Sequence, residues 1–246
     1  MQIVQWRWTT TQGWEPALQS PGNTNAQLVL LFGNPAAFKA SQSWDELRNI
    51  YPNAHFLGCS TAGEIYGTQV LDEALVATAI AFDHSHVQGW NIELQPEEGS
   101  FAAGDRLGQL IETAGLRHVF VLSDGLQVNG SDLVRGILQH LPEGVTITGG
   151  LSGDDDRFQE TFVLWNGQPK TGQIVALGLY GDRLKVGYGS LGGWSPFGSE
   201  RVITKSRGNV LYELDGEPAL TLYKKYLGEH AAGLPATGLL FPLSLR

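Results

Sequence analysis

The chain has 246 residues, 42% of them hydrophobic and 17% charged, with a net charge of −9. This is enough apolar material for a sizeable core, and it excludes an intrinsically disordered chain. The acidic balance, with no Lys/Arg cluster, removes the electrostatic footprint of a nucleic-acid binder, and a single cysteine cannot form an intramolecular disulfide.

The opening "MQIVQWRWTT" has no apolar targeting core, and no apolar run approaches the roughly 18 residues of a membrane span. A cytoplasmic protein is the expectation. "NGS" at Asn129 matches a glycosylation acceptor and is read as coincidence in the absence of a secretory signal.

"LVLLF" (28–32) reads as a strand buried on both faces. "SWDELRNIY" places Trp44, Leu47 and Ile50 at helical spacing behind Ser43 as N-cap, and "HFLGC" is the next strand. "ALVATAIAF" (74–82) and "HVQGWNIEL" (86–94) are β-rich and joined by "DHS", which predicts a hairpin. "DRLGQLIETAG" aligns Leu107, Leu110, Ile111 and Ala114 on one helical face.

The pattern then begins again. "HVFVL" (118–122) is a buried strand and "SDLVRGILQHL" (131–141) a helix capped by Ser131. "VTITGG" is a strand, and "ETFVLWNGQPK" turns through Asn166-Gly167. "QIVALGLYGDRLKVGYG" predicts a further hairpin through Gly181-Asp182.

Laid over each other, "LVLLFG" matches "VFVLSDG" and "LGCSTAGE" matches "TGGLSGDD", a one-residue shift at the end bringing Gly63-Glu64 over Gly153-Asp154. "ALVATAIAF…HVQGW" matches "GQIVALGLY…LKVGY", with Gly89-Trp90 over Gly187-Tyr188. The reading is an internal repeat, about 26–95 and 117–192, of a strand–helix–strand–strand–strand–strand unit after a lead-in over 1–25. The expected class is α/β or α+β, a mixed sheet core with helices packed on it. Residues 201–246 differ in texture. "VITK" and "NVLYEL" are short strands, "PALTLYKKYL" is a helix behind Pro218, and "GLLFPLSLR" is strand-like. So few elements can hardly form an independent core.

The sequence gives little purchase for catalysis or metals. A thiol nucleophile at Cys59 needs a base, and none of His55, His84, His86, His118, His140 or His230 sits in a partner motif. Neither "GCSTAG" nor "GLSGD" is a nucleophile elbow, no zinc or EF-hand spacing occurs, and the three aspartates of "SGDDDRF" read best as a solvated turn. "GSLGG" (189–193) is only a weak glycine cluster, so no phosphate loop and no cofactor is expected.

What remains is a pair of small, polar strand-end loops, "CSTAGE" and "LSGDD", with "SDGLQVNGSD" leading from a strand into a helix N-terminus. Such a terminus offers free N–H groups and partial positive charge. Polar groups converging there would suit a zwitterion such as an amino acid. The candidate ligand residues are Cys59, Ser60, Thr61, Glu64, Ser123, Asp124, Asn129, Ser152, Asp154, Asp155 and Trp194; capping and turn formation is the competing role for each. Tyr188, Trp194 and Phe197, set among glycines, read equally as a pocket wall or as a packed linker.

"GCSTAGEI", "GGLSGDD", "GGWSPFG" and "GNVLYELDGEPALTLYKKYLG", in that order, resemble the FIST family of sensory domains. The first three resemble its N-terminal domain over roughly 26–200. The fourth resembles the start of its C-terminal domain, which normally runs further, so residues 201–246 are expected to be a truncated copy. The resemblance implies an intracellular signal-transduction input module that binds a small ligand, with amino acids proposed and no established catalytic residues. It implies a signalling output partner, and neither a nucleic acid nor a membrane. Two other expectations stand beside it: an acyl-transfer or hydrolytic enzyme using Cys59 or Ser60, and a ligand-free interaction scaffold. The C-terminal "GLLFPLSLR" is an expected point of self-association.

Overall fold

A computed structural model describes residues 1–18, 25–39, 42–189 and 193–245, except for the side chains of residues 42 and 43. The chain divides into two compact units, Met1–Tyr188 and Gly189–Arg246. It is a mixed α/β protein.

The first unit contains two principal sheets. The first sheet is built from β1 (Gln2–Thr9), β2 (Gly13–Glu15), β3 (Leu28–Gly33), β4 (His55–Ser60), β7 (Ala74–Ala81) and β11 (Val163–Trp165). Its order is β11-β4-β3-β7-β1-β2. A small hairpin, β5 (Glu64–Tyr66) with β6 (Gln69–Leu71), stands apart from it. The second sheet holds β8 (His86–Glu93), β9 (Leu116–Ser123), β10 (Thr146–Leu151) and β12 (Gln173–Tyr180) in the order β10-β9-β12-β8. Helices α1 (Pro35–Lys39) and α2 (Gln42–Ile50) connect β3 to β4. Helix α3 (Ser100–Gly108) precedes β9, and α4 (Gly130–Leu138) connects β9 to β10.

Side-chain alternation explains how these elements stack. Successive strand residues face opposite ways, and here both faces of each sheet meet apolar partners. Val29 and Leu31 of β3 pack with Trp44 and Leu47 of α2 in one core, together with Trp6, Leu75 and Ala77. The intervening Leu28, Leu30 and Phe32 face a second core shared with Leu122, Val175 and Leu177 of the other sheet. Val121, Ile174 and Ala176 point away from that core onto Leu107, Leu133 and Ile137 of α3 and α4. The unit is therefore layered helix, sheet, sheet, helix.

Each sheet contains the same three-strand arrangement. β3 pairs parallel with β4 and antiparallel with β7; β9 pairs parallel with β10 and antiparallel with β12. The correspondence reaches individual glycines. A Cβ on Gly58 would lie 2.0 Å from the Leu31 carbonyl oxygen, and one on Gly149 would lie 1.8 Å from that of Val121. Each glycine sits third from the end of the strand parallel to its central strand.

Several expected elements differ. Segments 74–82 and 86–94 form no hairpin: β7 pairs with β1 and β3, whereas β8 pairs with β12 in the other sheet. Each strand pairs over its full eight residues with a distant strand, and the four-residue link between them serves as a crossing between sheets. Residues 181–189 form no strand and so no hairpin with β12, and the match of Gly89-Trp90 with Gly187-Tyr188 does not hold structurally. The counterpart of β8 is β1, since each lies antiparallel on the outer side of its sheet's third strand.

Helix α3 ends at Gly108, leaving Leu110 47% exposed. The N-cap of α4 is Asn129, whose side chain accepts the Asp132 N–H, so Ser131 lies inside the helix. Helix α2 begins at Gln42, and the expected Ser43 cap concerns a side chain outside the described residues. Residues 190–192 of "GSLGG" also lie outside them.

The second unit consists of a three-stranded antiparallel sheet, β13 (Ile203–Arg207), β14 (Val210–Leu214) and β15 (Glu217–Pro218), followed by α5 (Ala219–Leu227). Asp215 fastens its hairpin by accepting the Val202 N–H at 2.9 Å and pairing with Arg201. Those contacts hold its carboxyl below the usual carboxylate range. "GLLFPLSLR" is not a strand. Ala236–Leu239 is a 3-10 helix, and the Tyr223 hydroxyl donates to the Phe241 carbonyl at 2.7 Å. Among the described residues, no helix is long and apolar enough to cross a membrane.

Candidate functional site

The carboxyl ends of the two parallel strand pairs, β3–β4 and β9–β10, meet at one seam. The loop after β10 runs across from the second sheet and lies along β4 of the first, where it becomes β11. Ser60, the last residue of β4, holds this crossing at three points. Its carbonyl accepts the Gly153 N–H at 2.8 Å, its N–H donates to the Phe162 carbonyl at 2.9 Å, and its Oγ accepts the Phe162 N–H at 2.9 Å.

On the second sheet, Ser152 Oγ donates to the Ser123 carbonyl at 3.1 Å and accepts the Gly125 N–H at 3.0 Å. Thr161 Oγ1 approaches the same Gly125 N–H at 3.2 Å. Two loops far apart in sequence are thus stitched by main-chain groups, with buried hydroxyls supplying the bonds that a continuous ladder would otherwise make.

Two buried carboxylates shape the loops themselves. Asp124 Oδ1 accepts the N–H groups of Leu126 and Gln127 at 2.8 and 2.9 Å, and Oδ2 accepts that of Gly172 at 2.9 Å. Asp154 Oδ1 accepts the Phe158 N–H at 3.1 Å, and Oδ2 those of Gln159 and Glu160 at 2.6 and 3.0 Å. The side chains fold the chain around themselves, the usual role of Asp in tight loops.

Glu64 is also buried. It accepts from Thr61 Oγ1 at 2.8 Å and faces the Ala74 N–H at 3.4 Å. Burial raises its carboxyl pKa, with those contacts opposing the shift.

Cys59 lies in the core between the sheets with Leu57, Leu122 and Val163. Burial pushes its thiol up to about 12, so the thiolate that a nucleophile requires is scarce at neutral pH. His118 is buried on the same side of β9, with its ring nitrogens 2.7 and 2.8 Å from the hydroxyls of Thr146 and Thr148. Desolvation lowers its pKa.

Of the sequence-predicted residues, the structure brings Ser60, Thr61, Glu64, Ser123, Asp124, Ser152 and Asp154 to this seam or its adjoining loops. All of these except Thr61 are buried. Asn129 caps α4 and receives a second tie when its N–H donates to Ser100 Oγ. Asp155 is exposed with φ +66°. Trp194 belongs to the second unit and is 62% exposed, as Tyr188 and Phe197 are also open to solvent. The groups that reach solvent around the seam are Thr61, Ala62, Gly150, Leu151 and Leu126. A Cβ on Gly150 would meet nothing within 4 Å.

Thr161, Phe162 and Gly125 complete the seam and carry no sequence signal, because two of them act through their backbone N–H and C=O groups. Among the described residues, no group of three His, Cys, Asp or Glu side chains is placed to hold a metal ion.

Comparison with known proteins places this geometry in a family. The chain is similar to an uncharacterized protein of Methanocaldococcus jannaschii, 29% identical over 205 residues, an alignment covering 78% of this chain and 39% of the relative. It therefore spans about two-fifths of that protein's length. A model of the FIST N domain matches residues 27–217, a stretch containing both parallel strand pairs and the whole seam. The chain belongs to the FIST N domain family of sensory domains.

Proposed function

We propose that this chain is a non-enzymatic sensory module whose ligand is a small zwitterionic metabolite, an amino acid or a close analogue, bound at the rim of the seam. The observation that carries this reading is the convergence of the carboxyl ends of β3–β4 and β9–β10 at one place. In sheets with parallel strands, ligands collect outside carboxyl ends, where loops diverge and main-chain groups become free.

The first turn of α4 adds N–H groups and partial positive charge suited to a carboxylate. Its Gly130 lies close to the exposed Leu151, where an added Cβ would be 3.6 Å from Leu151 Cδ2. Exposed Leu126 and Leu151 offer apolar contact for a side chain. The buried hydroxyls and carboxylates act as the frame that fixes the rim, and the high pKa of Cys59 favours binding over thiol chemistry. A ligand would signal to an output partner by binding two arrangements of the protein unequally.

A thermal-shift screen of the chain against the free amino acids and common metabolites tests this. A ligand at 100 times its Kd stabilises the fold by about 2.7 kcal/mol. Gly150→Trp puts a bulky ring at the rim from a Cβ position that meets nothing within 4 Å, so it is expected to abolish the shift in a variant that circular dichroism shows to be folded. A hit unaffected by Gly150→Trp places the ligand elsewhere and refutes the rim. Silence across the panel refutes a free metabolite ligand for this chain.

A further inference from the structure

The corresponding edges of the two sheets are treated differently. On the outer side of β4, the ladder is filled by the antiparallel β11: Leu164 faces Gly58, Val163 faces Cys59 and Trp165 faces Leu57. The outward N–H of Ser60 bonds to the Phe162 carbonyl, the Phe56 carbonyl accepts the Asn166 N–H, and the Phe56 N–H donates to Asn166 Oδ1 at 2.8 Å.

The position outside β10 has no strand among the described residues. Because the Ser152 N–H donates inward to the Ser123 carbonyl, even-numbered residues of β10 turn their amides toward β9. Ile147, Gly149 and Leu151 therefore turn N–H and C=O outward. They are the counterparts of Phe56, Gly58 and Ser60.

Edges of this kind are normally blunted by charge, proline or a covering segment. "TITGGL" contains neither a charge nor a proline, and Gly149, Gly150 and Leu151 are exposed. Its pattern is also self-complementary. Antiparallel pairing of β10 with a second β10 about a two-fold axis through Gly149 opposes Gly149 to itself and sets Ile147 opposite Leu151, twice. Each apolar pair lies on the helix-covered face, where Ile147 already packs against the core and Leu151 is 48% exposed. Leu138 of α4, 47% exposed, lies in the helix covering that same face of the sheet. The amides meeting across the axis have no partner among the described residues, and no like charges within the strand are brought together.

We infer that β10 is a homodimerisation edge, joining two copies through antiparallel β10–β10 pairing into one continuous eight-stranded sheet. This contact is isologous, as a two-fold requires, and it rests on the strand edge and not on the proposed ligand, although Leu151 is shared with the rim.

Light scattering coupled to gel filtration on the full chain, across the micromolar range, reads it directly. The expected mass is twice that of one chain, falling to the monomer on dilution. Leu151→Pro removes an outward N–H that has no partner among the described residues, and is expected to give a monomer with unchanged circular dichroism. Leu151→Lys places a charge on the same edge and is expected to do the same, so a folding defect in either variant does not decide the matter.

The double variant Ile147→Cys, Leu151→Cys checks register. Opposed residues in such pairs lie about 5.5 Å apart at Cα, within disulfide range, so oxidation should yield a covalent dimer. A dimer that survives both folded edge variants overturns the proposal. So does a wild-type chain that stays monomeric throughout, which would leave the edge to a strand from a different protein.

Discussion

Asp124 separates a frame residue from a ligand-contacting one. Its carboxylate is buried and accepts three backbone N–H groups, from Leu126, Gln127 and Gly172. Asp124→Ala removes the partner of all three donors in a part-buried loop. Each buried orphan costs about 1–3 kcal/mol, and entry of a water into the vacated space recovers part of that. The expected loss is about 3–5 kcal/mol, a large share of the roughly 5–15 kcal/mol that holds a domain together.

Asp124→Asn keeps one oxygen for Leu126 and Gln127 but turns an NH2 toward the Gly172 N–H. One bond is lost and two donors face each other, at a cost of about 1–3 kcal/mol. Urea unfolding followed by tryptophan fluorescence reads this cleanly, because six of the seven tryptophans lie in the first unit. The ranking alanine, then asparagine, then wild type is the prediction. An alanine variant within about 1 kcal/mol of wild type would show that the three N–H groups have other partners, and would refute the frame role.

Cys59 should resist a thiol reagent in the folded protein up to mildly alkaline pH and react fully once urea unfolds the chain. Rapid native labelling would contradict its burial and its pKa of about 12. Glu64 has a folded pKa raised above 4.5, so the folded state holds its proton more tightly, and its contribution to stability falls as pH rises through that raised value. Glu64→Gln, which cannot ionise, should therefore gain stability relative to wild type as pH rises from the ordinary carboxyl range through the raised folded value, and keep that gain above it, measured by melting temperature; a gap that narrows with rising pH would reverse the sign of the argument.

Gly149→Ala and Gly58→Ala force a Cβ onto a carbonyl oxygen at 1.8 and 2.0 Å and should each cost about 1–3 kcal/mol or more, whereas Gly150→Ala should be near neutral in urea unfolding. Equal behaviour of the three would remove the close approach as the reason for glycine.

The strands that bury both faces were readable because they are short, apolar runs: β3, β4, β9 and β12 stand where their sequences predict. Pairing was less legible. "ALVATAIAF-DHS-HVQGWNIEL" has the local look of a hairpin, yet local pattern carries no information about a better partner far away. β7 takes β1 over all eight residues of each strand, and β8 takes β12 likewise. The polar residues of the candidate site are legible in the sequence, and what the sequence does not announce is that their side chains bond to the chain's own backbone. Ser60, Asp124, Ser152 and Asp154 are small and polar because buried backbone amides need them, and a side chain chosen to satisfy an amide looks in sequence like one chosen to touch a ligand. Thr161 and Phe162 escaped notice since nothing in "DRFQETF" announces that it will cross between sheets.

The arrangement explains why two related halves produce one site and one open edge. Each half supplies a parallel pair with a glycine pressed against the central strand, and the natural place for loops is outside the carboxyl ends. If both halves were closed alike, each would need its own edge strand beside β4 or β10. Only one such strand is present among the described residues: β11, which comes from the second half and closes the first. Spending that segment on β4 draws the loop from β10 across the seam, where Ser60 and Gly125 hold it, and it leaves the amides of Ile147, Gly149 and Leu151 facing outward. The seam and the open edge are two consequences of the same crossing. A change that loosens the crossing, such as Ser60→Ala, removes the Oγ bond to the Phe162 N–H and should lower stability by about 1–3 kcal/mol in urea unfolding. The same change should weaken any ligand-induced thermal shift, while dimerisation through β10, which needs no contact with Ser60, should persist. Loss of the dimer in a folded Ser60→Ala variant would show that the edge and the seam are coupled more tightly than the hydrogen bonds imply.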